Sequence, residues 1–236
     1  YKVVHSHINE NSGFVLKAAK KAGVPCRIAH SHLSDLKLDY KYPFRVYARR
    51  NLKGNVSDYF ACSKRAGEWL FGKKISNSGK ITVLNNAVDT EKFKINEEIR
   101  HKMREELGIE GKKVIGHIGR FNPQKNHEFL IDIFNEVYKK NKNAVLLLVG
   151  DGYLKEKIED KVKKLQLEDS VRFLGVREDI PELMQAMDLF LFPSQFEGLA
   201  VVMVEAQAAG LKVITSTGVT TESNITNNVN FIDLNL

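Results

Sequence analysis

Two carboxylates eight residues apart have the clearest chemical potential in this chain. Glu197 lies in the short segment 194–199, and Glu205 lies in an apolar run that ends at Gly210. Eight helical residues would span about 12 Å at 1.5 Å per residue. Because a helix N-terminus attracts phosphate, a loop carboxylate and a helical carboxylate could reach the two ends of an elongated ligand with phosphate between them.

The elements that must position these carboxylates are a strand, a loop, a helix and a second strand. The apolar run 189–192 predicts a buried strand, and Pro193 and Gly198 interrupt regular structure after it. Good helix formers over residues 200–210 predict a helix that is apolar nearly all round and therefore buried. A buried carboxylate needs partners or a ligand, and a solvated helix residue is the competing interpretation of Glu205.

A second group of chemically able residues lies in the stretch 116–126. Gly119 follows a predicted strand and would let a ligand approach the backbone, while Arg120 and Lys125 supply positive charge. These side chains suit a diphosphate, and two ordinary surface cations are the alternative interpretation. The stretch lacks the G-x-G-x-x-G pattern of dinucleotide-binding folds, which argues against a nicotinamide enzyme.

Four histidines form two H-x-H pairs, His5 with His7 and His30 with His32. Alternate residues of a strand share a face, so such pairs could ligate a metal ion. The neighbouring sequence is poor in carboxylates, and no metal is expected here. His30 ends a predicted strand, where a capping or core role is the alternative to a functional one.

The spacing Glu197-x7-Glu205, within Phe-Glu-Gly-Leu and Glu-Ala-x-Ala-x-Gly, is similar to the Glu-x7-Glu signature of retaining glycosyltransferases of the GT-B fold, family 4. Other parts of the chain resemble the bacterial members that make capsular polysaccharide and exopolysaccharide. The resemblance, like the alternation of strands and helices, implies an α/β fold, with two Rossmann-like parallel-sheet domains facing a cleft. Residues 1–90 would be an incomplete N-terminal, acceptor-side domain, 91–111 a linker and helix, and 112–236 a C-terminal nucleotide-sugar-binding domain truncated at its end.

The same resemblance implies roles for individual residues. Arg120 and Lys125 would hold the diphosphate of a nucleotide-sugar donor, and Glu205 would bind the ribose hydroxyls. His30 and Glu197 would face the transferred sugar. The implied donor-binding set is Gly119, Arg120, Lys125, Gly150, Val176, Glu197, Gly198, Leu199, Ala200 and Glu205, the catalytic set is His30, Glu197, Arg120 and Lys125, and His5, His7 and Asn9 would lie beside the acceptor.

The implied reaction transfers a sugar from a nucleotide sugar, expected to be UDP-linked, to a polysaccharide or lipid-linked acceptor with retention of configuration (EC 2.4). No cofactor is expected, and the backbone of Val176 would contact the edge of the base. Electrostatic stabilisation of the departing nucleoside diphosphate would supply most of the catalysis. The alternatives are a GT-B sugar-nucleotide epimerase and a non-catalytic module that binds a nucleotide sugar or associates with a membrane.

Composition and charge limit the class of protein and the kind of partner that the chain can have. The chain is 43% hydrophobic and 28% charged, as in soluble globular proteins, and no apolar run is long enough to span a membrane. Cys26 and Cys62 are expected to be buried free thiols in a reducing cytoplasm. Residues 1–111 carry 21 Lys/Arg against 12 Asp/Glu, whereas 112–236 carry 15 against 17. Such asymmetry suggests two domains, of which only the first faces an anionic partner.

The stretch 37–53 mixes cations with four aromatic residues, Tyr40, Tyr42, Phe44 and Tyr47. Such a stretch suits the surface of an anionic membrane or a lipid-linked diphosphate, and a solvated basic helix is the alternative. Nucleic acid could use a similar patch, but no RNA- or DNA-binding module accompanies it, so no nucleic-acid partner is expected. The expected location is the cytoplasm, with the basic half able to reach the inner face of the membrane.

Residues 85–93 are similar to the connection between the two domains of the family. The chain begins at Tyr1, inside a predicted strand, and ends at Leu236, where family members continue with helices that return to the first domain. We therefore expect a piece of a longer protein that does not transfer sugar by itself.

Overall fold

The structure, a computed structural model, describes residues 1–33 and 40–234. The chain divides into two compact units. The first holds Tyr1–Ala87 together with Phe196–Leu199, and the second holds Val88–Gln195 and the chain from Ala200 onward. Each unit contains a parallel sheet accompanied by helices, which confirms the expected α/β class.

The first unit is built on four described strands, β1 Val3–Ser6, β2 Cys26–Ser31, β3 Asp58–Ala61 and β4 Ile81–Val83. They are parallel and lie in the order β1-β2-β3-β4, so β1 is an edge strand of the described sheet. The helices of this unit are α1 Ser12–Lys21, α2 Tyr42–Arg50, α3 Lys64–Phe71 and α4 Lys73–Asn77. The sequence had not predicted α4, a single short turn set off by Gly72.

Local signals explain why α3 begins at Lys64. The Ser63 hydroxyl accepts a hydrogen bond from the Ala66 amide at 3.1 Å, which caps the first turn. Leu70 of this helix packs in the core with Leu16 and Ala29, all of them buried. A capped amphipathic helix on a parallel strand is the βαβ arrangement that the sequence predicts.

Both cysteines are free thiols, but their environments differ. Cys62 is buried, as expected, whereas the burial expected of Cys26 is wrong. Cys26 opens β2 at a partly exposed position, where its thiol lies 3.6 Å from Oδ2 of Asp58.

The second unit contains six described strands, β5 Lys113–Ile118, β6 Ala144–Val149, β7 Val171–Gly175, β8 Leu189–Phe192, β9 Lys212–Ser216 and β10 Val229–Ile232. Their order is β10-β9-β8-β5-β6-β7, and all of the pairs are parallel. The helices are α5 Glu97–Glu106, α6 His127–Lys140, α7 Lys155–Lys164, α8 Ile180–Ala186 and α9 Val201–Ala208.

The core of the second unit lies on both faces of its sheet. Every residue of β6 is buried, and alternate residues belong to different clusters. Leu147 packs with Phe190 and Met203 on one face, while Leu146 packs with Phe134 on the other. A strand covered on both faces is continuously apolar, which is why the run over β6 predicts its strand so sharply.

The stretch 91–111 packs on the second unit rather than standing apart as a linker. Phe93 is 6% exposed and belongs to the core of that unit. The buried Gln185 side chain donates to the Phe93 carbonyl at 3.1 Å and accepts from the Asn96 amide at 3.1 Å. Asn96 in turn caps α5 by accepting from the amides of Glu98 and Ile99.

Among the described residues, none of the helices has the length and apolar character that crossing a membrane would require.

Candidate functional site

The sheet of the second unit has a topological switch point beside β5. The chain leaves β5 for β6 on one side, and β8 later pairs with the other side of β5. Loops that follow two such strands diverge at their carboxyl ends and leave a crevice where ligands commonly bind. Here the loop after β5 and the loop after β8 are joined by the Gln195 amide, which donates to the Gln124 carbonyl at 2.8 Å.

The loop after β5 carries the two predicted phosphate-binding cations. The Asn122 side chain accepts from the Lys125 amide at 3.1 Å and so caps a short turn that begins at Pro123. The Lys125 ammonium lies 4.4 Å from the ring centroid of Phe192 at the end of β8, while Arg120 is exposed. The loop therefore presents two cations at the switch point.

Gly119 is needed by the loop itself. A Cβ at this position would lie 3.2 Å from Cδ of Lys125 and 3.1 Å from Nε2 of His117. The stem of Lys125 therefore passes close to the Gly119 backbone. Glycine here lets the lysine cross the backbone at the end of β5.

Gly150 also has a packing reason for its identity. Its φ is +129°, and a Cβ would lie 2.3 Å from the Gly119 carbonyl oxygen. The Gly150 amide donates to the Gly175 carbonyl at 2.7 Å, and the Gly119 amide donates to the Val149 carbonyl at 2.9 Å. The loops after β5, β6 and β7 are therefore joined edge to edge.

A cleft of about 670 Å³ lies at these loops. Its walls include Gly119, Arg120, Gly150 and Val176, so four of the predicted donor-binding residues share one cavity, together with Tyr153 and Arg177. The volume is that of a small-molecule site. Tyr153 and Val176 are 74% and 76% exposed and present apolar surface at the cavity, which suits a flat ring.

Helix α9 supplies Glu205 and an open N-terminus. Met203 and Ala206 face the core, but Glu205 is half-buried, so the expectation that the helix is buried all round is wrong. The Ala200 side chain cannot cap the helix, and the first amides of α9 receive no side-chain hydrogen bond there. Desolvation by burial raises the pKa of the Glu205 carboxyl above its usual value.

The segment Phe196–Leu199 belongs with the first unit. A Cβ on Gly198 would lie 2.5 Å from the His32 carbonyl oxygen, and Leu199 packs against Cys62 and Ala66. The predicted residues Glu197, Gly198 and Leu199 therefore lie on a segment that packs directly against the strand end bearing the second H-x-H pair.

The two H-x-H pairs meet at the carboxyl ends of β1 and β2. His5 is opposite Ile28 in the pairing of these strands, and the same register extended by two residues sets His7 beside His30. His5 Nε2 lies 3.2 Å from His30 Nδ1, and His7 Nδ1 lies 2.9 Å from His32 Nε2. The shared strand face predicted from the sequence is confirmed.

Burial lowers the pKa values of three of these four imidazoles. His30 is 6% exposed, and burial, with the charges of the neighbouring histidines, lowers its pKa to about 4. Burial likewise lowers the pKa values of His5 and His32. His5, His30 and His32 are therefore less basic than isolated histidines.

Asn9 has a positional role in the same cluster. Its side-chain oxygen accepts a hydrogen bond from the His32 amide at 2.9 Å, and its own φ is +51°. The residue predicted to lie beside the acceptor therefore holds the backbone that carries the second H-x-H pair.

The sequence analysis missed two histidines beneath the loop after β5. His117 and His127 are buried, and their ring centroids are 4.7 Å apart. His117 Nδ1 donates to the Leu191 carbonyl at 2.8 Å, which fixes its ring between β5 and β8. The sequence does place His117 within the apolar strand 113–118. It does not reveal that the side chain is buried.

The basic and aromatic stretch is partly described. Residues 37–39 lie outside the described residues, and α2 covers Tyr42–Arg50. Phe44 and Tyr47 are each 56% exposed, and Phe44 stacks on Phe14 of α1 with ring centroids 5.7 Å apart. The predicted helix therefore presents aromatic rings and cations at the surface of the first unit.

Comparison with known proteins gives three related findings. The family profile "Glycosyl transferases group 1" matches residues 99–232, more than half of the chain. EpsF of Bacillus subtilis, which carries a provisional glycosyltransferase assignment, is 37% identical over 224 residues, 93% of this chain and 58% of the relative. An Escherichia coli UDP-Gal:alpha-D-GlcNAc-diphosphoundecaprenol alpha-1,3-galactosyltransferase is 29% identical over 232 residues, 92% of this chain and 58% of the relative.

Solved structures give the same result for the fold. The crystal structure of Anabaena Alr3699/HepE in complex with UDP-glucose superposes with a TM-score of 0.80 at 25% identity. The match covers 96% of this chain and 68% of that one. The GT-B fold class is thereby confirmed. The chain spans less than two thirds of the length of the two curated relatives that it matches.

Proposed function

The chain belongs to the group 1 glycosyl transferases, and on that premise we propose that it binds a nucleotide-sugar donor for a sugar transferase of class EC 2.4. The observation that carries the proposal is the pair of cations at the switch point of the second unit. Arg120 is exposed at a cleft of small-molecule size, and Lys125 is fixed over Phe192 in the same loop. A diphosphate is the ligand that two such cations favour.

In the proposed donor site, charge stabilisation supplies most of the catalysis. The leaving group of the transfer is a nucleoside diphosphate, on which negative charge develops as the glycosidic bond to the sugar breaks. Arg120, Lys125 and the open N-terminus of α9 would stabilise this charge. These groups take the place that a metal ion would otherwise have at the diphosphate.

The nucleoside would occupy the cleft beside these cations. Glu205 would accept hydrogen bonds from the ribose hydroxyls, and the backbone of Val176 would contact the edge of the base. The exposed ring of Tyr153 in the same cleft suits stacking on the base. A UDP donor is supported by the UDP-glucose bound to the Anabaena relative and by the UDP-Gal named for the Escherichia coli relative.

The sugar and the acceptor are assigned to the first unit. His30 and Glu197 would face the transferred sugar, with the amides of Gly198 and Leu199 and that of Ala200 contacting sugar and phosphate. His5, His7 and Asn9 would lie beside the acceptor. We propose that the transfer proceeds with retention of configuration, as the Glu-x7-Glu spacing suggests.

We propose a lipid-linked or polysaccharide acceptor of the capsular or exopolysaccharide type. The Escherichia coli relative is named for a diphosphoundecaprenol acceptor, which is an anionic lipid. The basic surface of α2, with Phe44 and Tyr47 exposed, would support contact with such a lipid or with the inner face of the membrane.

The test of the proposed function is release of UDP by the full-length protein from a panel of UDP-sugars, with and without a lipid-diphosphate acceptor. A transferase releases UDP faster when the acceptor is present, and Arg120→Ala lowers that rate. Release or epimerisation that does not depend on the acceptor would contradict transfer. Binding of UDP without turnover of any sugar would instead favour a non-catalytic module.

A further inference from the structure

The four imidazoles at the ends of β1 and β2 form an unusually dense group. The ring centroids of His5 and His7 are 4.1 Å apart, and those of His30 and His32 are 4.2 Å apart. The pairs also approach each other across the strands, with 4.9 Å between the rings of His7 and His30. Dense imidazole groups of this kind are typical of transition-metal sites.

The spacing of the nitrogen atoms is close to that of ligands on one ion. At a zinc–nitrogen distance of about 2.0–2.1 Å, two nitrogens of a tetrahedral site are roughly 3.3 Å apart. His5 Nε2 and His30 Nδ1 are 3.2 Å apart. One ring nitrogen from each of His5, His7 and His30 lies within 4.8 Å of the others, so small ring rotations would bring the third onto the same ion.

His32 provides the orienting contact that a metal-bound histidine usually has. Its Nε2 lies 2.9 Å from Nδ1 of His7, which leaves Nε2 of His7 available as a ligand atom. Outer partners of this type fix the ring and the tautomer of a ligand. His32 is itself held by Asn9 through its backbone amide.

His30 does not have the hydrogen bonds expected of a core histidine. Within the described part of the chain, its buried Nε2 has no partner, and its Nδ1 meets only the imidazole of His5. Buried polar atoms are ordinarily paired. The ring is therefore not held by the hydrogen bonds of a structural core residue, and its Nδ1 is available to an ion shared with His5 Nε2.

We propose that His5, His7 and His30 form a binding site for a divalent transition-metal ion such as Zn²⁺ or Ni²⁺, with His32 as the orienting partner. Sequence reasoning expected no metal because carboxylates are scarce nearby, but three imidazoles are sufficient ligands for zinc. An all-nitrogen set selects against Mg²⁺, which prefers oxygen ligands. The bound ion would join the end of the edge strand β1 to β2.

The direct test is calorimetric titration of the 236-residue chain with Zn²⁺, Ni²⁺ and Mg²⁺. We expect one Zn²⁺ or Ni²⁺ per chain, no measurable Mg²⁺ binding, and a rise in Tm with Zn²⁺, since an ion that binds only the folded state stabilises it. Co²⁺ in place of Zn²⁺ should give the intense visible absorption of a four-coordinate ion.

Matched variants separate this site from adventitious binding. His5→Gln and His7→Gln each change an exposed side chain, so both should fold, and each should lower Zn²⁺ affinity at least tenfold. His32→Gln should lower it roughly 10–100-fold, as loss of an orienting partner does. His101→Gln, on α5 of the second unit, is the control and should leave affinity unchanged.

Three outcomes would overturn the proposal. The first is a wild-type chain that binds neither Zn²⁺ nor Ni²⁺ at one equivalent. The second is a pair of variants, His5→Gln and His7→Gln, that bind Zn²⁺ as tightly as the wild type does. Equal affinity for Mg²⁺ would also contradict an imidazole site. None of these readouts uses sugar transfer, so failure of the proposed transferase function would leave them unaffected.

Discussion

At the scale of single residues, the burial of His127 predicts how the free energy of unfolding depends on pH under acidic conditions. It is 2% exposed and stacks on Phe121 with ring centroids 4.0 Å apart. Burial, together with the charge of Lys125, lowers its pKa from 6.5 to about 4. Between these two values the unfolded chain binds a proton that the folded chain does not. Stability is therefore unaffected above about pH 6.5 and falls as the pH drops from there towards 4.

For His127 alone, the loss over this window corresponds to about 3 kcal/mol, at about 1.4 kcal/mol for each pKa unit. We expect His127→Gln to lose less stability than the wild type between pH 7 and pH 4.5, as measured by urea denaturation. His117, which is also buried with a lowered pKa, adds to the loss, as do His5, His30 and His32. The control His101→Gln should keep the wild-type dependence, and an unchanged pH profile in His127→Gln would contradict the assignment.

Gly150 gives a second prediction at this scale. Alanine there would meet the Gly119 carbonyl oxygen and would also adopt an unfavourable positive φ. At Gly111, where φ is +66° and nothing lies within 4 Å, alanine suffers only the backbone strain of about 1–2 kcal/mol. Chemical denaturation should show Gly150→Ala to be clearly the more destabilising of the two, with a loss near or above ~3 kcal/mol. Equal losses would show that the loops after β5 and β6 are not packed as described.

At the scale of elements, the best-predicted segments are those whose environment is simple. The run 189–192 is apolar, follows Asp188 and precedes Pro193, so its strand has the bounds that the sequence predicts. The continuously apolar strand β6 is similar, because both of its faces are covered. Continuous burial leaves little choice between secondary structures once turn residues fix the ends.

Elements that depend on neighbours distant in sequence are harder to predict. The stretch 91–111 was expected to be a linker and a helix; it contains α5, and Gln185 and the apolar core hold its Phe93 to the second unit. Helix α9 was expected to be buried because its sequence is apolar nearly all round, yet Glu205 on this helix is only half-buried. Hydrophobic pattern identifies an element, whereas its partners are set by the tertiary fold.

The predicted site residues illustrate the same limit. The sequence alone predicted that Arg120 and Lys125 share one loop and that the H-x-H pairs share one strand face. It did not reveal that Gly119 makes room for Lys125, or that His117 and His127 lie beneath that loop. These are packing contacts, and no local pattern encodes them.

Among contacts between elements, we expect those of Asp188 to have the largest effect on stability. It precedes β8, and its carboxylate accepts from the Val114 amide at 2.8 Å and from Arg104 at 2.8 Å, with Arg100 as a third donor. Burial would raise its pKa, but these hydrogen bonds more than offset that effect and hold the pKa below its usual value. The carboxylate thus joins α5 to the sheet.

We expect Asp188→Asn to destabilise the second unit by about 1–3 kcal/mol, the cost of weakening charged hydrogen bonds. Thermal or urea denaturation at neutral pH measures the loss. Asp160→Asn removes an exposed carboxylate on α7 and is the matched control, for which no more than about 0.5 kcal/mol is expected. An Asp188 variant as stable as this control would show that the Asp188 carboxylate does not hold α5 to the sheet.

At the scale of the whole molecule, charge is concentrated in the first 111 residues, with 21 Lys/Arg against 12 Asp/Glu. If this half meets an anionic lipid surface, vesicle sedimentation should show binding to anionic vesicles that weakens with salt, and weak binding to neutral ones. At about 1 kcal/mol for each cation near the surface, Arg50→Glu with Lys53→Glu should lower binding at least tenfold. Lys163→Glu with Lys164→Glu makes the same charge change in the second unit and should have little effect. Equal binding to both vesicle types would contradict membrane contact.

The central claim is that the second unit binds a nucleoside diphosphate through the loop after β5, and calorimetric titration of the chain with UDP tests it most directly. A charged hydrogen bond contributes roughly 1.5–3 kcal/mol, so Arg120→Ala and Lys125→Ala should each weaken UDP binding about tenfold or more. Lys139→Ala, an exposed change on α6, should leave the affinity unchanged. Absence of UDP binding, or the same affinity in the Arg120→Ala/Lys125→Ala double variant as in the wild type, would contradict the account.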